Sequence, residues 1–153
     1  MNVLIAYATN SGSTFTASQQ VKKILEDKDH AVTLKKIVDT NPEELQSPDL
    51  IIFATPSWLV NKQDGMPHDQ MWAFMEAHKD LQLNGKKVAV MGLGDRSYTK
   101  FCGAVDHLEP YVEQVGGKLA LPSLRIDGYY FSEKNPQLVE EWASKVASIN
   151  PSS

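Results

Sequence analysis

The sequence predicts a single α/β domain over residues 1–150, a parallel sheet of five strands with helices packed on both faces. Three observations carry this. Apolar runs of strand length alternate with amphipathic stretches at helical spacing along the whole chain. The run Leu50-Ile51-Ile52-Phe53-Ala54 is continuously apolar, as a strand covered on both faces must be. Strands joined through helices pair in parallel, and right-handed crossovers distribute those helices over two faces to give three layers.

The first strand is Val3-Leu4-Ile5-Ala6-Tyr7-Ala8. Ala17, Val21, Ile24 and Leu25 then recur at helical spacing, and a short strand is expected over 31–37. The third strand is the apolar run at 50–54. Met71, Phe74, Met75 and His78 mark a helix that starts near Pro67, and Lys87-Val88-Ala89-Val90-Met91-Gly92 is the fourth strand. Val105, Leu108, Val112 and Val115 trace a helix ended by Gly116-Gly117, and Pro110 within it either kinks the helix or marks a late start. A fifth strand over 118–126 and a closing helix with Leu138, Trp142, Val146 and Ile149 complete the series, and residues 151–153 are expected to fray.

The 153 residues include 19 acidic and 15 basic side chains, a net charge of -4, which disfavours nucleic acid as a partner and points to basic protein surfaces instead. No apolar run is long enough to span a bilayer, and Met1-Asn2 enters the first strand without a leader, so a cytoplasmic protein is expected. Cys102 is the only cysteine, which excludes an intramolecular disulfide. It lies where a helix begins, either as a thiol of lowered pKa or as a small buried apolar group. His30, His68, His78 and His107 have no metal-ligand spacing, and no metal site is expected.

In such a sheet, ligands lie beyond the carboxyl ends of the strands where the strand order reverses. The turn after the first strand, Thr9-Asn10-Ser11-Gly12-Ser13-Thr14, joins a strand to a helix N-terminus. There, unpaired N–H groups and the helix dipole favour an anion, and the hydroxyls add donors. Gly12 permits a bend or close approach that a Cβ would hinder. The turn has one glycine and no lysine, unlike loops that grip triphosphates or dinucleotides, so it suits a phosphate monoester. The competing reading is a capping box ahead of an ordinary helix. Residues 55–67, with Thr55, Pro56, Ser57 and Trp58 at their start, read as a loop after the third strand. Its tryptophan is either a stacking surface or a lid over apolar residues. Residues 92–103 read as a third loop, with Gly92, Leu93, Gly94, Asp95, Tyr98, Phe101 and Cys102, and its Tyr98 supplies a second aromatic. An anionic tail and a flat ring between two aromatics describe the ligand.

On these segments the chain resembles the short-chain flavodoxins over nearly its whole length. Residues 9–14 look like their FMN phosphate loop. Gly92-Leu93-Gly94-Asp95 through Tyr98, with Phe101-Cys102-Gly103-Ala104-Val105-Asp106, is similar to their second isoalloxazine loop, and Leu124-Arg125-Ile126-Asp127-Gly128 to their last strand. The resemblance implies a flavodoxin-like strand order 2-1-3-4-5 and an FMN cofactor. Thr9, Asn10, Ser11, Ser13 and Thr14 would hold its phosphate, Trp58 and Tyr98 would stack on its faces, and Gly94 with Asp95 would face its edge or ribityl chain. It also implies a monomeric low-potential electron carrier that shuttles between a flavin-containing reductase and an acceptor enzyme, without substrate turnover of its own. The family usually has glycine and acidic residues after the loop aromatic, whereas this chain has Leu59-Val60-Asn61-Lys62. Asn61 or Gly65 is the position that tolerates a peptide flip there.

Two other flavin functions share the architecture. A flavin-dependent NAD(P)H or quinone reductase needs an open ring face, which two stacking aromatics oppose. An FMN-binding accessory protein needs no redox partner. A phosphorylated receiver is excluded, because the first and third strands end in Tyr7-Ala8-Thr9 and Ala54-Thr55 without the required acids.

Lys62, Arg96 and Lys100 lie in the ring-binding segments, and positive charge there stabilises added electrons. The lower of the two one-electron potentials is therefore expected to be less negative than in acidic relatives. Potentiometry of Lys62→Glu with Arg96→Glu should show that step shifted to lower potential; an unchanged step contradicts the electrostatic reading.

Overall fold

The computed structural model describes residues 1–9, 12–60, 63–94, 103–127 and 134–149, with the backbone alone at 58–60, 63–67, 127 and 134. Among the described residues there are strands β1 (Asn2–Tyr7), β2 (Ala31–Lys36), β3 (Leu50–Val60), β4 (Gln63–Pro67), β5 (Lys87–Gly94), β6 (Lys118–Leu119) and β7 (Leu124–Asp127). The helices are α1 (Ser13–Asp27), α2 (Asp69–Ala77), α3 (Gly103–Gln114) and α4 (Lys134–Ala147).

β1 pairs in parallel with β2 on one side and β3 on the other, β3 pairs with β5, and β5 pairs with both β6 and β7. Across the sheet this is the expected order 2-1-3-4-5, with two short strands in the fifth place. The expected single strand over 118–126 divides because Pro122 has no N–H for the ladder. The carbonyl of Pro122 instead accepts from Trp142 Nε1 at 3.0 Å, which ties the interruption to α4.

The alternation of β3 sorts its side chains between two cores. Ile51 and Phe53 lie with Val88 and Val90 beneath α2 and α3, where Met71, Phe74, Leu108 and Val112 close the layer. Leu50, Ile52 and Ala54 lie with Ala89 and Met91 beneath α1 and α4, against Val21, Leu25, Val139 and Trp142. Burial on both faces is what the unbroken apolar run required.

Three expectations change in detail. Leu138 is 42 % exposed, and the buried stripe of α4 is Asn135, Val139, Trp142, Ala143 and Val146. The stripe follows the face that meets the sheet, and Leu138 falls to one side of it. Pro110 marks no late start, since α3 begins at Gly103 and runs through it. α3 ends where predicted: Gly116 adopts φ 79, and the Gly117 N–H donates to the Val112 carbonyl at 2.8 Å, a left-handed glycine cap. The third change, the length of β3, belongs to the site below.

No helix among the described residues is long and apolar enough to cross a membrane. Phe53 is fully buried, its ring 6.4 Å from that of Phe74. Phe53→Ala should lower unfolding free energy by about 3–5 kcal/mol in urea titration; a loss below about 1 kcal/mol would show that this layer is not tightly packed.

Candidate functional site

The carboxyl ends of β1, β3, β5 and β7 form one edge. Tyr7 stands beside Ala54, Ala54 beside Met91, Thr55 beside Gly92, and Gly92 beside Arg125. The strand order reverses at β1, whose neighbours β2 and β3 lie on opposite sides. The Ala8 N–H still donates to the Ala54 carbonyl at 2.9 Å, so the chain leaves the sheet at Thr9.

Gly12 is the N-cap of α1 at φ 92 and ψ -8, a left-handed conformation that costs a Cβ-bearing residue roughly 1–2 kcal/mol. A Cβ at Gly12 would meet no described atom within 4 Å, so the need for glycine is conformational. The Gly12 N–H donates to Thr9 Oγ1 at 3.0 Å, and the Gly12 carbonyl accepts from Thr16 N–H and Oγ1.

Among the described residues no side chain caps α1, and its first turn carries no acidic residue. The capping-box reading is thereby corrected: a glycine occupies the cap, and it has no side-chain oxygen to offer. The positive end of the helix dipole faces the crevice without a counter-charge from its own first turn. Thr14 Oγ1, in that turn, is 1 % exposed and has no hydrogen-bond partner among the described residues. A buried hydroxyl in that state costs about 1–3 kcal/mol. Ser18 Oγ, one turn further on, is also buried and without a partner among the described residues. The expected phosphate residues Asn10 and Ser11 lie outside the described residues, and Ser13 opens the helix.

Tyr7, at the end of β1, packs its ring 5.4 Å from that of Phe15 in α1. Burial, and secondarily the nearby Asp39 carboxylate, pushes its pKa above the usual phenol value and keeps the hydroxyl neutral.

Residues 55–67 are not a loop. β3 continues to Val60 and turns back as β4, antiparallel, with Ser57 opposite Pro67, Trp58 opposite Met66 and Val60 opposite Gln63. Trp58 therefore sits within a paired strand, with its backbone anchored. The register shifts between Trp58 and Val60, the signature of a bulge, while Asn61 and Lys62 lie outside the described residues. A hairpin escaped the sequence reading because Pro56, Gly65 and Pro67 punctuate the segment like a loop and hide the strand period.

Thr55 and Ser57 are buried, and Pro56 is half-buried. Gly92, Leu93 and Gly94 belong to β5 and not to the following loop, because β7 pairs with all three and β3 with Gly92 and Leu93. Leu93 points into the α1/α4 core, which leaves Gly92 and Gly94 on the α2/α3 face of the sheet. Asp95, Tyr98, Phe101 and Cys102, together with Arg96 and Lys100, lie outside the described residues.

Arg125 on β7 reaches the first turn of α3, with Nη2 at 2.7 Å from Asp106 Oδ1 and 3.9 Å from Glu109 Oε1. Ser123 Oγ donates to the other Glu109 oxygen at 2.8 Å, so β7 and α3 are joined where the connection from β5 ends.

His68 is the residue that sequence reasoning missed. It caps α2, accepting the Gln70 N–H at Nδ1 (3.1 Å), and is 5 % exposed. A His directly before Asp69 at a helix start was a capping signal, set aside in the search for metal spacing. Among the described residues no group of His, Cys, Asp or Glu is arranged to hold a metal.

Burial lowers the His68 pKa below 6.5, with Asp69 opposing. The unfolded chain therefore binds more protons as pH falls through that value, and the folded state loses stability. Urea midpoints should decline from about pH 7.5 to about pH 5.5, and His68→Asn, which keeps a side-chain acceptor, should show a shallower slope. An unaltered slope would mean that His68 does not titrate in this range.

A flavodoxin family model matches residues 5–142. The flavodoxin of Maridesulfovibrio salexigens is 32% identical over 145 residues, which cover 94% of this chain and 95% of that one. The crystal structure of oxidised flavodoxin 2 from Bacillus cereus aligns with TM-score 0.86 at 32% identity, covering 96% of this chain and 97% of that one. The Fusobacterium nucleatum flavodoxin bound to flavin mononucleotide shares the fold with TM-score 0.81 at 18% identity, over 95% and 96% of the two chains.

Proposed function

The chain belongs to the flavodoxin family, and from that premise we propose which of its residues seat the cofactor and how it is used. The protein is an FMN-binding electron carrier. Bound FMN supplies one-electron chemistry at its tricyclic ring. The reading of the seat rests on one observation, the buried and unpartnered hydroxyl of Thr14 in the uncapped first turn of α1.

A phosphate dianion there accepts hydrogen bonds from neutral donors and meets the positive end of the helix. Such bonds are charge-assisted and stronger than those between neutral groups. An anion supplies the hydroxyl of Thr14 with the acceptor it lacks among the described residues. Thr9, Asn10, Ser11, Gly12 and Ser13 complete the phosphate seat. Trp58 and Tyr98 flank the ring, with Thr55, Pro56, Ser57, Gly92, Leu93, Gly94, Asp95, Phe101 and Cys102 around it. Leu93 takes part through its backbone, since its side chain belongs to the core.

The carrier passes electrons from a flavin-containing reductase to an acceptor enzyme, works as a cytoplasmic monomer and turns over no substrate of its own. The lone cysteine and the net charge of -4 support this setting. Purified protein should oxidise no NAD(P)H until a separate reductase is added; steady oxidation without one would assign it as a reductase.

Thr14→Val tests the seat, since it removes the hydroxyl and keeps the branched shape. FMN should bind at least about tenfold more weakly, while the FMN-free protein should be no less stable, having lost an unsatisfied buried group. Unchanged affinity would remove Thr14 from the seat.

A further inference from the structure

Thr55 and Ser57 lie two residues apart on β3, on the face that buries Ile51 and Phe53 beneath α2 and α3. Thr55 Oγ1 accepts from the His68 N–H at 3.1 Å and donates to the Pro56 carbonyl at 3.0 Å. Ser57 Oγ accepts from the Ala104 N–H at 3.0 Å. The two residues are 0 % and 4 % exposed, so water is not a ready substitute for either oxygen.

The donors are the telling part. His68 is the N-cap of α2, where the hairpin of β3 and β4 ends. Ala104 is the second residue of α3, where the connection from β5 ends, and its N–H belongs to the first-turn donors that a helix cannot satisfy internally. Gly92, in register with Thr55, leaves the neighbouring strand without a side chain on this face. The start of α3 can therefore reach across β5 to β3. One strand thus holds the exits of both segments that the proposed function assigns to the ring.

We propose that Thr55 and Ser57 are positioning residues for the flavin, two hydroxyls that together fix where α2 and α3 start at the carboxyl edge of the sheet. They act through the backbone of His68 and Ala104, and their hydroxyls do not touch the ring. Loss of either removes a side-chain acceptor from a buried N–H at a helix start, and that start is less firmly held. The spacing of the two helix starts then changes. Oxidised and reduced flavin differ in charge, so a changed spacing does not weaken both equally, and the potentials move with the affinity. This inference rests on the FMN seat proposed above.

The test uses the full chain loaded with FMN, in Thr55→Val and Ser57→Ala, with Thr55→Ser and Ser57→Thr as hydroxyl-keeping controls. Each removal should raise the FMN dissociation constant about tenfold, shift at least one of the two one-electron potentials and alter the visible circular dichroism of the flavin. Each control should restore all three. The inference is overturned if the removals lower the unfolding midpoint while affinity and potentials stay at wild-type values, or if the controls fail to restore them. If Ser57→Ala does not fold, Thr55→Val carries the test alone. A wild-type chain that takes up no FMN would defeat the proposed function instead.

Discussion

The carboxyl edge of the sheet depends on a helix end that the protein does not neutralise. α1 begins at a glycine cap, carries no acid in its first turn and buries a threonine hydroxyl that has no partner among the described residues. Each feature alone costs stability, and a chain under no other demand would place Ser, Asp or Asn at the cap. Together they support the phosphate seat proposed here. β1, buried between two neighbours, delivers the turn to the point where strand order reverses, so the seat is set by topology before any side chain contributes.

The other parts of the edge are organised from β3. Its first half is core on both faces. Its second half leaves the central sheet as a hairpin while turning Thr55 and Ser57 toward the starts of α2 and α3. Arg125 adds a link from β7 to Asp106 in the first turn of α3. The segments assigned to the ring are therefore tethered at their ends to rigid elements, as an electron carrier requires if its cofactor is to change charge without large rearrangement.

Much of this was legible in the sequence because period-2 and period-3.6 patterns are strong where burial is complete. The continuous run of β3, the stripe of α1 and the Gly116-Gly117 stop of α3 were all readable from composition and spacing. The turn from Thr9 to Thr14 was legible as a helix start, but sequence alone left a capping box open. The left-handed Gly12 at the cap removes the capping box, and the phosphate seat stands as the reading proposed here. The β3–β4 hairpin was hidden because Pro56, Gly65 and Pro67 imitate loop punctuation. Leu138 was misplaced because an apolar residue beside a helix stripe looks like one within it. The tethering by Thr55 and Ser57 was invisible, since the partners of those hydroxyls are backbone groups 13 and 47 residues away.

The central claim is that uncharged donors at the start of α1 hold a phosphate, and the affinity of the wild-type chain for FMN compared with riboflavin tests it most directly. The two ligands share the ring and differ in the anionic tail. The account predicts that FMN binds at least about a hundredfold more tightly at neutral pH, as several charge-assisted hydrogen bonds require. Equal affinity for the two would contradict it.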